Sequence, residues 1–222
     1  MNRRTALIAL LGVAGLPREG RAYLLPQADV LRRAQRRLGR GQGLQVGLVG
    51  LARADDGAPF AVSERWIFGA GAHGVRVDVH GPDGRLAHWQ KDGAEGGDAA
   101  LLPDEAERHI LGALFAQASL EALCTGLGVD RRVSSLALQG ERVAYVIGAQ
   151  ARQPERPQVW IDQDDFAVLR VRFRRQSGAP YELRLDDWIG PPGDGAFPQR
   201  LQVIEGGHWR RRLALDQARL PG

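Results

Sequence analysis

The sequence is poor in cysteine and lysine. Cys124 is the single cysteine among 222 residues, so an intramolecular disulfide is excluded. It lies in an apolar stretch with helical spacing, and we interpret it as a small core residue. Lys91 is the one lysine among 30 basic residues. We interpret this preference for arginine as a base-composition bias of the genome, without functional meaning.

Long apolar runs are also scarce. Residues 5–16 form one apolar run, which is too short to cross a bilayer because a spanning helix needs about 20 residues. The run follows a basic segment at 2–4 and precedes small residues at 20 and 22, three back and one back from a possible cleavage after Ala22. We therefore expect residues 1–22 to be a secretory signal peptide, exported by the general or the twin-arginine route, and residues 23–222 to form one domain. Without the leader, 26 basic and 25 acidic residues remain, so the charge gives no reason to expect a nucleic-acid partner.

Catalytic and metal-binding motifs are not evident. The segment 69–74 matches the dinucleotide-binding pattern G-x-G-x-x-G, but an alternating strand pattern follows at 75–79, where a phosphate site needs a helix. We interpret the segment as a hairpin loop. His80 and His88 fall on neighbouring predicted strands, where a surface pair is a simpler interpretation than a metal site. We expect no catalytic residue, metal or cofactor, and a hydrolase assembled from distant positions is a minor alternative.

The most regular part of the chain is residues 157–215. Leu169, Val171 and Phe173 alternate with arginines, which is the period of a strand with one dry face and one wet face. Polar and glycine-containing turns separate this strand from its neighbours. We predict an antiparallel meander with strands at 159–162, 166–173, 181–186, 197–205 and 209–215.

The preceding part of the chain combines strands with a few helices. Apolar residues at three- and four-residue spacing predict helices at 25–38, 103–115 and 120–127, and residues 93–97 are predicted to be a polar loop. Further strands are predicted at 44–54, 60–68, 75–80, 85–91, 132–138 and 143–149. Because helices do not alternate with strands, a parallel sheet is excluded. We predict a mostly β (α+β) fold: an open, curled antiparallel barrel or half-barrel of about eleven strands, with an N-terminal helix and a mid-chain helical lid.

Aromatic residues make up 6% of the chain and are spread over most of the predicted strands. One interpretation is an ordinary, filled core. The other is a sheet that curls around an apolar cavity, which the amphipathic helices close. The nine aromatic residues on which this interpretation depends are Trp66, Phe68, Trp89, Trp160, Phe173, Tyr181, Trp188, Phe197 and Trp209.

Residues 23–222 as a whole resemble the LolA-like family of periplasmic lipoprotein carriers. The resemblance rests on the export signal, the N-terminal helix, the strands with a helical insertion, and the segments 159–162 (Val-Trp-Ile-Asp) and 197–198 (Phe-Pro). It implies an open barrel under a helical lid, a periplasmic location and no enzymatic activity. It also implies a monomeric carrier that binds the acyl chains of lipoproteins or other lipids, with an inner-membrane donor and an outer-membrane acceptor as partners.

The resemblance and the strand phase together assign candidate site residues. Carriers of this family use an arginine on an early strand to hold the lid closed, and Arg53 and Arg65 are the candidates for this lid contact. Apolar side chains on the dry face would shield an acyl chain, because each hidden methylene group gains about 0.8 kcal/mol. A one-residue error in strand phase would turn a whole set outward. The expected lining residues are Val46, Leu48, Trp66, Phe68, Val77, Trp89, Leu169, Val171 and Phe173 on strands, with Leu111, Leu114 and Phe115 on the lid.

A second function fits the same pattern. The fold also resembles domains of envelope-stress regulators, so a periplasmic interaction or sensor module that binds protein or lipid ligands is the alternative. An acyl ligand that copurifies with the protein would favour the carrier, whereas specific binding of a membrane-protein ectodomain without acyl ligand would favour the module.

Overall fold

A computed structural model describes most of the chain between residues 24 and 219. The predicted signal peptide, residues 1–22, lies outside the described residues, as do residues 70–73 of the predicted hairpin loop. None of the described helices is long and apolar enough to cross a membrane. The described ranges are 24–39, 43–69, 74–91, 94–116, 119–150, 152–191 and 195–219.

The three predicted helices form as α1 (Gln27–Leu38), α2 (Glu105–Phe115) and α3 (Leu120–Gly126). The Asp104 carboxylate caps α2 by accepting a backbone N–H at 2.8 Å, and the Ser119 hydroxyl caps α3 in the same way at 3.2 Å. The amphipathic faces expected of α1 and α2 are present, because their apolar stripes are buried and half of their charged residues are exposed. The sequence therefore located the helices to within two or three residues.

The strands form one antiparallel sheet that does not close on itself. Their order across the sheet is β5-β4-β3-β2-β1-β12-β11-β10-β9-β8-β7-β6, so the first and last strands pair in the middle. The helical segment joins the two edge strands, β5 and β6, along the chain. The predicted fold class, an open curled antiparallel sheet with helices, is confirmed. The strands are β1 (Gln45–Arg53), β2 (Pro59–Phe68), β3 (Val75–His80), β4 (Leu86–Gln90), β5 (Ala94–Gly97), β6 (Ser134–Gln139), β7 (Arg142–Ile147), β8 (Gln158–Asp162), β9 (Val168–Arg174), β10 (Pro180–Ile189), β11 (Phe197–Glu205) and β12 (His208–Arg219).

The described sheet has twelve strands, one more than the sequence indicates, because β5 lies where a polar loop was predicted. The β5 segment has four residues, and two of them are glycine. It is too short to show a period-two pattern, and glycine has no strong preference for the extended conformation. Pairing with β4 imposes the extended conformation. Gly96 allows β5 to lie close to the His88 side chain of β4, since a Cβ at this position would be 2.2 Å from the His88 ring. His88 itself is opposite Asp78 and not opposite His80, so the two histidines do not form a cross-strand pair.

A β-bulge changes the strand phase of β9. Trp160 pairs with Arg170 while the next residue, Ile161, pairs with Val168, so Leu169 is the extra residue. Val168 and Val171 therefore belong to the main core, whereas Leu169 packs with Trp160 in a separate small cluster. The alternation read from the sequence is interrupted at this point.

The main core lies between the inner face of the sheet and the three helices. It is continuous and strongly aromatic around Phe115 of α2. The Phe115 ring lies 5.3 Å from Phe68, 4.6 Å from Phe197 and 6.0 Å from Trp188, measured between ring centroids. Phe68, Phe115 and Phe197 are all essentially inaccessible to solvent. In this conformation the lid side chains fill the interior of the curled sheet.

Candidate functional site

The structure brings most of the predicted lining residues into one buried cluster. Nine of them belong to the main core, and Trp89 and Phe173 pack against it while partly exposed. Leu169 is the exception, since the bulge in β9 turns it into the second cluster. The nine residues in the core are Val46, Leu48, Trp66, Phe68, Val77, Leu111, Leu114, Phe115 and Val171.

The structure does not bring the two predicted lid-contact arginines to the lid. Arg53 donates to the Gly57 carbonyl at 3.3 Å and stacks on Trp209, with the guanidinium carbon 4.1 Å from the ring centroid. Arg65 is exposed and donates to the Gln45 side chain at 2.8 Å. Among the described contacts, neither arginine bonds to α2 or α3. Both lie on early strands, as expected. Arg65, however, alternates with the buried residues of β2 and so lies on the outer face of the sheet, and Arg53 lies at the end of β1.

A different arginine, Arg211 on β12, connects the sheet with the lid. Its guanidinium forms an ion pair with Glu64 of β2 and lies 3.5 Å from a carboxylate oxygen of Glu107 on α2. It also donates to the Leu101 carbonyl at 3.3 Å, just before α2. Both carboxylates are completely buried, and Trp66 donates its indole N–H to Glu64 at 2.8 Å. We call Glu64, Glu107 and Arg211 the buried charge cluster.

The buried charge cluster places one cation and two carboxyl groups where solvent has almost no access. Burial, followed by the nearby charge of Asp104, raises the pKa of Glu107 well above 4.5, although Arg108 and Arg175 act in the opposite direction. Burial lowers the pKa of Arg211 to about 9, which leaves the guanidinium protonated at neutral pH. Both Glu107 carboxylate oxygens lack a hydrogen-bond donor within the described part of the chain. The lid is thus attached through a group that is costly to ionise.

The sequence carries a signal for this cluster, because each of its three residues lies at an apolar position of its element. Arg211 lies two residues before the apolar Leu213, on the same face of β12. Glu64 likewise lies two residues before Trp66, on the same face of β2. Glu107 lies three and four residues before Ile110 and Leu111, on the apolar stripe of α2. Charged residues at apolar positions of three separate elements indicate a buried polar contact between them.

A second polar contact holds the start of α2. Asp104 lies 2.5 Å from a guanidinium nitrogen of Arg175 and accepts the Tyr181 hydroxyl at 3.3 Å. Arg175 also pairs with Glu205 at 2.9 Å. Burial, followed by the charges of Glu107 and Asp104, raises the pKa of Tyr181, so its hydroxyl remains a donor. These contacts join the lid to the turn between β9 and β10 and to the end of β11.

Two open clefts flank α2. The larger, about 550 Å³, lies between α2, the end of α3 and the turn between β9 and β10. The smaller, about 330 Å³, lies between α2 and strands β3 and β4, with Trp89 and Val75 in its wall. Glu105 and His109 line both clefts, because they lie on the exposed side of α2. The margins of the lid are therefore open to solvent although the interior is filled.

We expect Glu107→Gln to stabilise the protein increasingly as the pH rises. The folded pKa of Glu107 is above 4.5, so the folded state binds this proton more tightly than the unfolded chain. The contribution of Glu107 to the free energy of unfolding is then fully present below about pH 4.5, and it is lost as the pH rises through the pKa of the folded state. Each pH unit between the two pKa values changes the free energy of unfolding by about 1.4 kcal/mol. Urea unfolding followed by tryptophan fluorescence at pH 4.5 to 8 measures the difference between variant and wild type.

Glu105→Gln is the matched control, because Glu105 lies on the same helix and is exposed. Because solvent screens a charge at this exposed position, the effect of Glu105→Gln on stability should be small beside that of Glu107→Gln. Parallel stability profiles of Glu107→Gln and wild type across this range would contradict the inferred cost of ionising Glu107.

Comparison with known proteins supports the architecture. No protein family and no curated protein matches the chain by sequence. A solved LolA superfamily protein from Nitrosomonas europaea is similar in structure, with a TM-score of 0.55 and 13% identity over 90% of this chain and 95% of that one. A domain from Vibrio parahaemolyticus, described as an outer-membrane lipoprotein-sorting protein, has a TM-score of 0.50 and 13% identity over 87% of this chain and 92% of that one. The chain therefore has a LolA-like fold, as the resemblance implied.

Proposed function

We propose that this protein is a periplasmic carrier that binds the acyl chains of lipoproteins, or of other lipids, between the curled sheet and the α2–α3 lid. It would take such a ligand from an inner-membrane donor and deliver it towards the outer membrane. Export to the periplasm would use a signal peptide that is cleaved after Ala22. The mass of the protein recovered from the periplasm, starting at Tyr23, would test that step. No catalytic residue is part of the proposal.

One observation carries the proposal: a helical lid, and not a second sheet, covers the apolar inner face of an open sheet. The lid contributes Leu111, Leu114 and Phe115 to the interior, and these side chains are fully buried against the strands. If the lid moves away, the inner face offers Phe68 and Phe197 to an acyl chain. Each methylene group that the chain hides there gains about 0.8 kcal/mol, so the apolar lining is a sufficient source of affinity.

Binding requires displacement of the lid, because its side chains fill the interior in the closed conformation. An acyl chain would take the volume that Phe115 and its neighbours occupy. The closed state and the ligand-bound state would therefore make apolar contacts of a similar kind. The difference in free energy between them then remains small, which suits a carrier that must release its ligand. The buried charge cluster contributes to this balance, since it attaches the lid through ionisable groups and not through apolar contacts alone.

Purified wild-type protein is expected to contain a lipid or lipoprotein, and Val171→Asp is expected to contain none. Val171 is completely buried on the inner face, so an aspartate there places a charge in the acyl site. Native mass spectrometry with lipid extraction measures the bound ligand, and uptake of a fluorescent fatty acid measures the binding capacity. Circular dichroism shows whether the variant has folded.

Leu138→Asp is the matched control, since Leu138 is 69% exposed on the edge strand β6. The same change in charge should leave uptake unaffected there. Unchanged uptake by a folded Val171→Asp variant would overturn the assignment of the inner face as the acyl site.

The filled interior favours a second candidate, an interaction or sensor module that binds protein or lipid ligands. If the aromatic contacts of Phe115 are permanent, the lid is part of the core and the outer surfaces carry the function. Suppose the purified protein carries no ligand and does not bind fluorescent fatty acids, but does bind a membrane-protein ectodomain. This result would establish the interaction module in place of the carrier.

A further inference from the structure

We propose that the free edge of strand β6 is a docking site for a second copy of this chain, which adds its own β6 in antiparallel orientation and extends the sheet. β6 (Ser134–Gln139) is the last strand of the sheet and pairs with β7 alone among the described strands. Each of its six residues is at least partly exposed. An unpaired edge of this kind offers backbone donors and acceptors to another strand.

The pairing of β6 with β7 determines which backbone groups face the free edge. The Val133 carbonyl accepts the backbone N–H of Gly148 at 2.9 Å, so the backbone groups of Val133 point towards β7. In an antiparallel pair this direction alternates from one residue to the next. The N–H and C=O groups of Ser134, Leu136 and Leu138 therefore point away from β7, where a further strand can bond to them.

The edge has none of the features that usually prevent such pairing. The strand contains no charged residue and no proline, and its pairing with β7 continues without a bulge. Leu136 and Leu138 lie on one face of β6, and Leu138 is 69% exposed. The opposite edge strand, β5, differs because it has only four residues and two of them are glycine. Association through β6 would bury apolar surface that a single chain leaves in water.

The charges at the two ends of β6 favour a second copy of this chain as the occupant. Arg132 lies just before the strand and Glu141 just after it, and both side chains are exposed. Neither forms an ion pair within the described residues, whereas the neighbouring Arg131 is paired with Glu121 at 3.4 Å. Antiparallel pairing places the start of one strand beside the end of the other. Each Arg132 would then approach Glu141 of the other copy, so opposite charges meet at both ends.

The backbone geometry also defines the register. If Leu136 lies opposite Leu136 of the other copy on a two-fold axis, Ser134 lies opposite Leu138 on both sides of it. This register joins every outward-facing backbone group of the three residues and keeps their side chains on matching faces. The paired surface is that of one short strand on each side. We therefore expect a weak, reversible dimer and not a permanent one.

Sedimentation equilibrium of the purified protein over a wide range of concentrations tests the proposal. We expect a monomer–dimer equilibrium. Arg132→Glu and Glu141→Arg each bring like charges together twice across the axis, and each should weaken association about tenfold. The double variant Arg132→Glu, Glu141→Arg restores opposite charges and should recover the wild-type affinity.

Two further measurements locate the interface on β6. Exchange of the amide protons of Ser134, Leu136 and Leu138 should slow as the protein concentration rises, because these groups become hydrogen bonded. Leu138→Pro removes an N–H that points to the free edge and keeps the pairing with β7, so it should weaken association more than Leu138→Ala. Both variants remove the same leucine side chain, and circular dichroism shows whether each has folded.

The oligomeric state decides the proposal, since the family resemblance implies a monomer. A monomer at every concentration overturns it, and an extended peptide of other sequence bound by that monomer would identify a different occupant of the edge. A dimer that the double charge variant fails to restore, or that leaves exchange at β6 unchanged, would lie elsewhere on the surface and also overturns it. Acyl uptake is measured separately, so failure of the carrier function would leave this result standing.

Discussion

Replacement of Arg211 by methionine is expected to lower the free energy of unfolding by about 3–5 kcal/mol, because it leaves two carboxylates buried without a cation. Glu64 and Glu107 are completely inaccessible to solvent, and Arg211 is the cation between them. The change also removes the donor to the Leu101 carbonyl at the base of the lid. Urea unfolding at pH 7, followed by tryptophan fluorescence, measures the loss.

Two further variants separate charge from packing. Arg212→Met changes the exposed neighbour on the same strand and should alter stability by no more than about 0.5 kcal/mol. The triple variant Arg211→Met, Glu64→Gln, Glu107→Gln removes all three charges and keeps an acceptor for the Trp66 indole, so it should recover most of the loss. If the triple variant is as unstable as Arg211→Met alone, the loss comes from packing, and the buried charge cluster does not have the role inferred here.

A disulfide between the lid and the sheet is expected to abolish acyl uptake reversibly. A Cβ at Gly112 on α2 would lie 3.0 Å from Cγ2 of Val75 on β3. Because Cγ2 is one bond from Cβ, cysteines at both positions have Cβ atoms within the distance of about 4.5 Å that a disulfide allows. The double variant Val75→Cys, Gly112→Cys should lose fluorescent fatty acid uptake when oxidised and regain it when reduced. The reason is that the chain enters only after α2 moves away from the sheet.

The native cysteine does not compete in this experiment. Cys124 is buried, and burial raises the pKa of its thiol to about 12, so the reactive thiolate is absent at neutral pH. The single variants Val75→Cys and Gly112→Cys control for the substitutions and should show uptake that does not respond to oxidation. Full uptake by the oxidised double variant would mean that acyl chains bind outside the lid, for example in the clefts that flank α2.

Several features could be predicted from local patterns. The alternation of Val171 and Phe173 with arginines indicated a strand with one buried face, and apolar residues at three- and four-residue spacing indicated α2. The order of strands and helices along the chain then excluded a parallel sheet. These inferences succeeded because short-range backbone preference and side-chain periodicity depend only on neighbouring residues.

Other features depend on contacts between distant parts of the chain. Arg53 and Arg65 were assigned to the lid by their position on early strands, yet the lid contact is made by Arg211, 146 or more residues later. That choice follows from the pairing of β1 with β12, which no local pattern encodes. The cleft beside the segment that leads into α2 is of the same kind, since residues from both ends of the chain line it.

The sequence by itself determined the three described helices, every described strand except β5, the apolar face of most strands and the class of fold. Only the tertiary structure decided that β5 pairs with β4, that a bulge turns Leu169 away from Val171, and that Glu107 meets Arg211 in a buried site. The physical reason is that register and burial are set by the free energy of long-range pairing and desolvation. That free energy exists only when residues far apart in sequence come together.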